Sequence, residues 1–587
     1  MKLLPPGEVR IISGKLERFG DTLQMAHPDH MVPIEEEADV KTVEPVYPLS
    51  AGVTLKPLTK AIKASLALAP EVPEWLDPTH KAQESWSSWK ECLEKVHTPL
   101  SDKELTAFCP QRKRLAYDEL LANQLAISLV REQQTAAKGR IIKGDGSLRE
   151  QMSDILPFKL TGSQDNAIKE VINDMESPNR MLRLVQGDVG SGKTAVALFP
   201  MLAAIESGFQ TAIMAPTEIL ARQHYKTLQP FAEKLGVSVA ILTGRDKGKS
   251  RKVILEAIAD GSTQMVIGTH ALFQDDIEFS DLALAVIDEQ HRFGVHQRLS
   301  LAKKGAGVDM LVMTATPIPR TLMLTAYGDM EVSRLTEKPA GRQPVDTRTV
   351  SVERLADVIS GVARSLDQGT KVYWVCPLVE ESDKSDLAAA EERYRELHDR
   401  FGDRVGLVHG RMKGPEKDAV MEQFSQGNVD LLIATTVIEV GVDVPQATIM
   451  VIEHAERFGL AQLHQLRGRI GRGSEKSTCI LLYQAPLGEN SKARLTIMRE
   501  SDDGFVIAEE DLRLRGAGEV LGTRQSGLPE FRVADLACHG ELLATARNDA
   551  KLIMDKDPLL KSERGQALRV LLYLFERDTA VKYLKSG

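Results

Sequence analysis

Residues 182–205 read LRLVQGDVGSGKTAVALFPMLAAI, and this stretch decides the fold. An apolar run gives way to Gly187-Asp188-Val189-Gly190-Ser191-Gly192-Lys193-Thr194, which fits G-x-x-x-x-G-K-[ST] and opens into a second, helical apolar segment. A strand, a glycine turn and a helix in that order make a phosphate-binding loop. The glycines let backbone N–H groups turn inward around phosphate oxygens, and the helix N-terminus favours their negative charge. Lys193 is expected to bridge the β and γ phosphates of a nucleoside triphosphate, and Thr194 to ligate Mg²⁺.

Short apolar runs separated by helical stretches surround this loop: MLRLVQ, QTAIMAP, TQMVIGT, LALAVID and DMLVMTAT. A second series, KVYWVCP, RVGLVHG, VDLLIATT, ATIMVIE and STCILLY, begins near Lys371. Strands buried on both faces read this way, and their alternation with helices predicts two parallel α/β lobes in tandem. In the first lobe, LALAVID sets Asp288 at the C-terminal end of a buried strand, followed by Glu289, Gln290 and His291. The chemistry asks two carboxylates for different tasks: Asp288 to hold the magnesium shell, Glu289 to orient or deprotonate the attacking water. Alone, D-E-Q-H reads equally as a solvated loop; beside a phosphate loop it becomes the second nucleotide motif.

The second lobe has no phosphate loop but carries Gln465-Leu466-Arg467-Gly468-Arg469-Ile470-Gly471-Arg472. Arginines from a facing lobe can neutralise charge on the transferring phosphoryl group. Gln465, Arg469 and Arg472 are therefore candidate catalytic residues, and hydrolysis is expected to require lobe closure. The other reading of the run is a basic helix face on a loop.

Outside the lobes, EVRIISGKLERFG and TLQMAHPDHM alternate apolar and polar residues around Gly20-Asp21, a hairpin pattern. Recurring prolines between Pro45 and Pro110 frame short helical patterns, and Tyr117, Leu121, Leu125 and Leu129 then form a stripe at helical spacing. From about Ser491 the pattern is helical and charged, interrupted by the glycine-rich RLRGAGEVLGTRQSGLPEF. Arg513, Arg515 and Arg524 interleaved with glycines predict a basic, backbone-flexible hairpin and loop able to contact duplex phosphates. The expected domains are 1–45, a partial β wedge; 46–150, a helical linker; 151–345 and 346–490, the two lobes; and 491–587, a helical C-terminal domain.

Length agrees: 587 residues suit roughly four domains and exclude a single small binding module. The 42% hydrophobic and 27% charged residues are an ordinary globular balance, and a net charge of −9 excludes a histone-like basic coat, so nucleic-acid contact must come from local basic patches. No apolar run approaches the ~18 residues of a membrane span, which points to a cytoplasmic protein. The five cysteines are scattered and never in C-x-x-C pairs, and read as reduced core thiols.

These motifs resemble those of superfamily 2 helicases, and more closely the RecG family of bacterial DNA branch-migration helicases. The specific segments are DEQHRFGVHQR (288–298), MTATPIPRT (313–321), LVHGRMK (407–413), TTVIEVGVDVP (435–445) and DLRLRGAGEVLGTRQSG (511–527). The resemblance implies two RecA-like lobes, ATP and Mg²⁺, with Phe158 and Gln164 recognising adenine alongside the phosphate loop. It implies that Thr217, Arg222, Gly244 and Thr269 face the DNA backbone, that Thr314 and Thr316 couple hydrolysis to lobe movement, and that Thr436, Glu439, Gly441 and Asp443 form a motif at the interlobe cleft. The 511–527 segment, with Arg513, Arg515, Arg524 and Gln525, is similar to the translocation motif this family shares with the transcription-repair coupling factor Mfd.

The family's wedge is built on a complete OB-type barrel, and only its latter strands are recognisable here, so weaker fork selectivity is expected. The activity implied is ATP-driven translocation on duplex DNA that remodels stalled forks, Holliday junctions, R-loops and D-loops in recombination and repair. The implied setting is a monomer on the bacterial nucleoid, with single-strand-binding protein as a candidate partner and no membrane contact. Two rival readings are an Mfd-like translocase and a passive junction-binding protein whose ATPase is vestigial.

Overall fold

The computed structural model describes residues 6–577 except 20, 21, 27, 29, 41–44, 50, 51, 136–138, 275, 289–303, 306, 316, 317, 320–329, 340, 378–382, 436–443, 445, 472, 474 and 522–530. The chain divides into two compact units: residues 1–123 with 531–581, and residues 124–530 with 582–587.

The first unit opens with β1 (Arg10–Ser13), β2 (Glu17–Phe19), β3 (Thr22–Gln24) and β4 (His30–Pro33). β2 pairs antiparallel with β3 and β1 with β4, so the alternating pattern around positions 20 and 21 forms two nested antiparallel pairs. Helices α1 (Leu55–Ala67), α2 (Pro78–Gln83) and α3 (Trp89–His97) follow, then the long α4 (Pro110–Thr135), whose residues up to Asn123 belong to this unit and whose remainder belongs to the second. Asp77 caps α2 by accepting from Thr79 and His80 N–H groups, with Pro78 at its first position, and Ser88 caps α3. The predicted stripe on α4 is real: Tyr117, Leu121, Leu125 and Leu129 are all buried. Arg114 on the same helix is fully buried and satisfied by Asp118 (3.0 Å), Glu74 (2.8 Å) and the Ser87 carbonyl (3.1 Å). Burial pushes the Asp118 carboxyl up to about 6, against the opposing pull of Arg114 and the Trp75 indole N–H.

The second unit holds the lobes. α5 (Ser147–Ile155) and α6 (Gly162–Met175) lead into β5 (Leu182–Gly187) and α7 (Lys193–Glu206). β6 (Gln210–Met214), α8 (Glu218–Lys234), β7 (Val239–Leu242), α9 (Gly248–Ala259), β8 (Met265–Gly268), β9 (Leu282–Ile287), β10 (Asp309–Thr314) and β11 (Glu331–Leu335) complete lobe 1. Its seven strands lie parallel in the order β11-β5-β10-β9-β6-β8-β7. β6, β8, β9 and β10 are buried at every residue, the pattern of a sheet covered on both faces.

Lobe 2 runs β12 (Val345–Ser351), α10 (Leu355–Asp367), β13 (Lys371–Val375), α11 (Asp383–Phe401), β14 (Val405–Val408), α12 (Gly414–Gln426), β15 (Leu431–Ala434), β16 (Ala447–Ile452), α13 (Leu460–Arg467) and β17 (Ser477–Tyr483). Its sheet is again all parallel, in the order β12-β17-β16-β13-β15-β14. α14 (Glu489–Glu500) and α15 (Gly504–Leu521) pack on this lobe through Leu495, Met498 and Ile507. The chain then returns to the first unit with α16 (Gly540–Lys556) and α17 (Glu563–Leu574).

Two expectations change. The span 491–587 is not one body, since α14 and α15 belong with lobe 2 while Phe531 onward folds with the linker. Arg513 and Arg515 do not sit on a hairpin or loop but inside α15, which continues through Gly516 and Gly518 to Leu521. An interior glycine costs a helix about 1 kcal/mol relative to alanine. Burying Ile507, Ala508 and Leu512 outweighs that, at about 25 cal/mol per Å² of apolar surface. Among the described residues, no helix is long and apolar enough to cross a membrane.

Candidate nucleotide site and the interlobe clasp

The residues assigned to chemistry in lobe 1 collect at one edge of its sheet. Gly187 ends β5, Thr217 follows β6, Gly244 follows β7, Thr269 follows β8, Asp288 follows β9, and Thr314 ends β10. These are the carboxyl ends of parallel strands, where open α/β sheets bind ligands.

The loop itself needs its glycines. Gly190 and Gly192 have φ of +78° and +83°, and a Cβ on Gly187 would lie 2.6 Å from Ser191 Oγ. Lys193 is buried and its Nζ donates to the Gly187 and Asp188 carbonyls at 2.7 and 2.9 Å, which holds the loop curled. α7 begins without a side-chain cap, and Ser191 Oγ is buried with no hydrogen-bond partner among the described residues. Uncapped helix N–H groups, left-handed glycines, a buried lysine and the half-buried Thr194 hydroxyl fit a nucleotide's phosphates and its Mg²⁺. Gln164 is buried in a capping box with Thr161, while its Nε2 donates to the Ser191 carbonyl at 2.8 Å. It thereby joins the helix that follows Phe158, itself 47% exposed, to the phosphate loop.

Asp288 is steered by a residue that no motif flagged. His224 of α8 is buried, and its Nε2 lies 2.8 Å from Asp288 Oδ2. An ionised carboxylate can only accept, so this contact makes Nε2 the donor. Thr217 caps α8 by accepting from Leu220 N–H, Arg222 and Gly244 are exposed, and Thr269 is buried with Oγ1 unpartnered among the described residues. Thr314 is buried. Glu289, Thr316, Thr436, Glu439, Gly441, Asp443, Arg472, Arg524 and Gln525 lie outside the described residues, as does the side chain of Arg515. Arg513 is exposed and donates twice to Glu510, at 2.6 and 2.9 Å.

Lobe 2 reaches the phosphate loop through its arginine-rich segment, and the three arginines are not alike. Arg467 turns into its own lobe, where it donates to the Met498 and Ser501 carbonyls at 2.6 and 2.9 Å. Burial presses its guanidinium below the usual arginine range, with Asp502 opposing. Arg467 also donates to His464 Nδ1 (3.1 Å), which leaves the proton on Nε2 to donate to Asp188 Oδ1 of the phosphate loop (3.1 Å). Burial alone would raise the Asp188 carboxyl, but His464, the Gly504 N–H of α15 and Lys193 hold it below the usual carboxylate range. Gln465 and Arg469 are half-buried on the same stretch.

Backbone approach is just as close. A Cβ on Gly468 would stand 2.8 Å from Val189 Cβ, so glycine is what lets the segment meet the loop. Arg342, on the connection between the lobes, donates to the Val189 carbonyl (2.6 Å) and the Gly471 carbonyl (3.0 Å), tying both sides together. On that connection Glu337 accepts from Gly162 and Ser163 N–H groups at the start of α6. Further along the cleft, Arg245 pairs with Glu218 of lobe 1 (2.6 Å) and Asp418 of lobe 2 (2.8 Å). The site is thus a phosphate loop clasped by the opposite lobe.

Three family profiles match the chain: DEAD/DEAH box helicase over residues 161–325, helicase conserved C-terminal domain over 351–474, and ATP-dependent DNA helicase RecG, domain 3, C-terminal, over 501–574. The ATP-dependent DNA helicase RecG of Escherichia coli O157:H7 is 45% identical over 574 residues, covering 94% of this chain and 82% of the relative. That of Bacillus subtilis strain 168 is 44% identical over 578 residues, covering 97% of this chain and 83% of the relative. A solved structure of RecG bound to a three-way DNA junction aligns with a TM-score of 0.68 at 38% identity, over 91% of this chain and 70% of that one.

Proposed function

The chain belongs to the RecG family of ATP-dependent DNA helicases, and from that premise we propose how its residues drive the remodelling of branched DNA and which branches it serves. Its DNA substrates are stalled forks, Holliday junctions, R-loops and D-loops, met as a monomer on the chromosome of a bacterial cytoplasm, with single-strand-binding protein as a candidate partner. Duplex arms are the track, gripped through phosphates by sequence-independent contacts. The observation that carries this reading is the clasp: His464 on Asp188, Gly468 against Val189, and Arg342 spanning both. A fixed contact between loop and opposite lobe lets nucleotide state and lobe position control each other.

In this account Lys193 and the loop N–H groups hold the β and γ phosphates, and Phe158 and Gln164 seat the base beside the loop. Thr194 and Asp288 hold Mg²⁺, which when bound offsets phosphate charge. His224 keeps the Asp288 carboxylate turned to that position. Glu289 orients the attacking water and takes its proton, while Gln465, Arg469 and Arg472 bring positive charge and hydrogen bonds to the γ-phosphate when the lobes close. Arg467 is reserved for holding His464. Thr217, Arg222, Gly244 and Thr269 grip the backbone of the tracked duplex. Thr314, Thr316 and Thr436 sense lobe position, and Arg513, Arg515, Arg524 and Gln525 move the duplex. The test is ATP-dependent unwinding of a labelled model fork: strand separation is expected with ATP and Mg²⁺ and absent with Lys193→Ala, and unwinding that persisted in that variant would overturn the assignment.

A further inference from the structure

We propose that Glu119 is a positioning residue that anchors the exit end of the translocation motif to the linker helix. This inference rests on the proposed reading of residues 511–527 as the element that moves DNA. Glu119 lies in the middle of α4 and is only 3% exposed, an environment that a carboxylate tolerates only when it is fully hydrogen-bonded. Its partners are three successive backbone N–H groups, of Arg532 (2.7 Å), Val533 (2.9 Å) and Ala534 (2.9 Å). Consecutive main-chain N–H groups converging on one anion form a nest, here filled by the protein's own side chain. The Arg532 guanidinium turns away to Glu576, so the carboxylate grips the main chain and not that side chain. Five residues on, buried His539 accepts from Asp535 N–H and donates to the Ala107 carbonyl at 2.8 Å, a second pin on the same body.

These contacts begin five residues beyond the motif's last glycine, Gly527. The motif's entry is fixed separately. α15 packs on lobe 2 through Ile507 and Leu514, and its first N–H, from Gly504, points at Asp188 of the phosphate loop at 3.4 Å. The described residues that flank the motif are thus held on either side, α15 on lobe 2 upstream and Arg532–Ala534 on α4 downstream. A segment held at one end would swing when the lobes close; held at both, it transmits the movement. Glu119 touches neither nucleotide nor the lobes' catalytic residues, so its loss should uncouple movement from hydrolysis and leave hydrolysis intact.

The experiment compares wild type, Glu119→Gln, Glu119→Asp and Arg524→Ala in the full chain, measuring fork-stimulated ATPase, fork unwinding per ATP hydrolysed, and amide hydrogen exchange. Glu119→Gln is expected to raise exchange at Arg532–Ala534 at least tenfold while α16 stays protected, to keep ATPase within about twofold, and to lower unwinding per ATP tenfold or more. Unwinding per ATP unchanged despite faster exchange at 532–534 would overturn the anchor, as would a proportional loss of ATPase and unwinding, which marks a merely structural role. If α16 loses protection in Glu119→Gln, Glu119→Asp, which keeps the charge on a shorter arm, is judged by the same criteria. Arg524→Ala separates the two claims. Poor unwinding there with a normal Glu119→Gln defeats only the anchor, whereas normal unwinding in Arg524→Ala defeats the reading of the motif itself.

Discussion

Gly468→Ala isolates the interlobe clasp in a single methyl group. Gly468 has φ −65° and ψ −11°, an ordinary right-handed conformation, so alanine meets no backbone strain there. The added Cβ would instead lie 2.8 Å from Val189 Cβ, whereas carbon atoms prefer about 3.5–4.0 Å. Loop and arginine segment must then part by about 0.7 Å or more, and overpacking of this kind typically costs about 1–3 kcal/mol. If that falls on the closed arrangement alone, its population drops roughly 5- to 150-fold, since 1.4 kcal/mol is tenfold. The assay is steady-state, DNA-stimulated ATPase beside nucleotide binding. kcat is expected to fall in that range while nucleotide affinity, set by lobe 1, changes little. Val189→Gly in the same chain removes the opposing Cβ and should recover much of the lost kcat. Wild-type kcat in Gly468→Ala, or a double variant as slow as the single, refutes the steric account.

Glu289→Gln should keep ATP and Mg²⁺ binding but lose hydrolysis, because glutamine keeps the shape without the base; Lys193→Ala should weaken nucleotide binding as well, and isothermal titration separates the two. Arg472→Ala should abolish hydrolysis while DNA binding persists, which a filter-binding assay beside the ATPase would check. Asp309 offers a stability test, because burial pushes its carboxyl up to about 7 while Met181 N–H and Arg180 pull the other way. Between pH ~4 and ~7 the native state holds a proton that the unfolded chain has released, so this group makes stability fall as pH rises, by on the order of 4 kcal/mol in full. Asp309→Asn should therefore stabilise lobe 1 more at pH 8 than at pH 5 in denaturant melts; an equal shift at both would refute the raised carboxyl.

The central strands were legible because a sheet covered on both faces demands unbroken apolar runs, and LALAVI and DMLVMT supply them. β11 and β12 are hard to read for the same reason: they are sheet-edge strands whose exposed polar residues, such as Arg334 of β11 and Arg348 of β12, break the run that marks a buried strand. The phosphate loop was readable because its spacing is the mechanism. His224, His464, Arg342 and Glu119 had no such spacing, since each works through a partner 64, 276, 153 and 413 positions away, visible only once the chain has folded. Spacing alone gives Arg467 no role of its own, and it is folding that buries it within lobe 2 as the partner of His464. The glycines of 513–531 predicted a break that begins too early, because the apolar stripe of α15 is stronger than two glycines.

The most direct test of the account is the ATPase rate of the full chain with no DNA, with linear duplex and with a model fork at equal salt. A family member driven by the clasp should hydrolyse ATP slowly alone, faster on duplex and fastest on the fork. Equal stimulation by duplex and fork would indicate a translocase indifferent to branches, and no hydrolysis under any condition would contradict the claim that the clasped phosphate loop is a working motor.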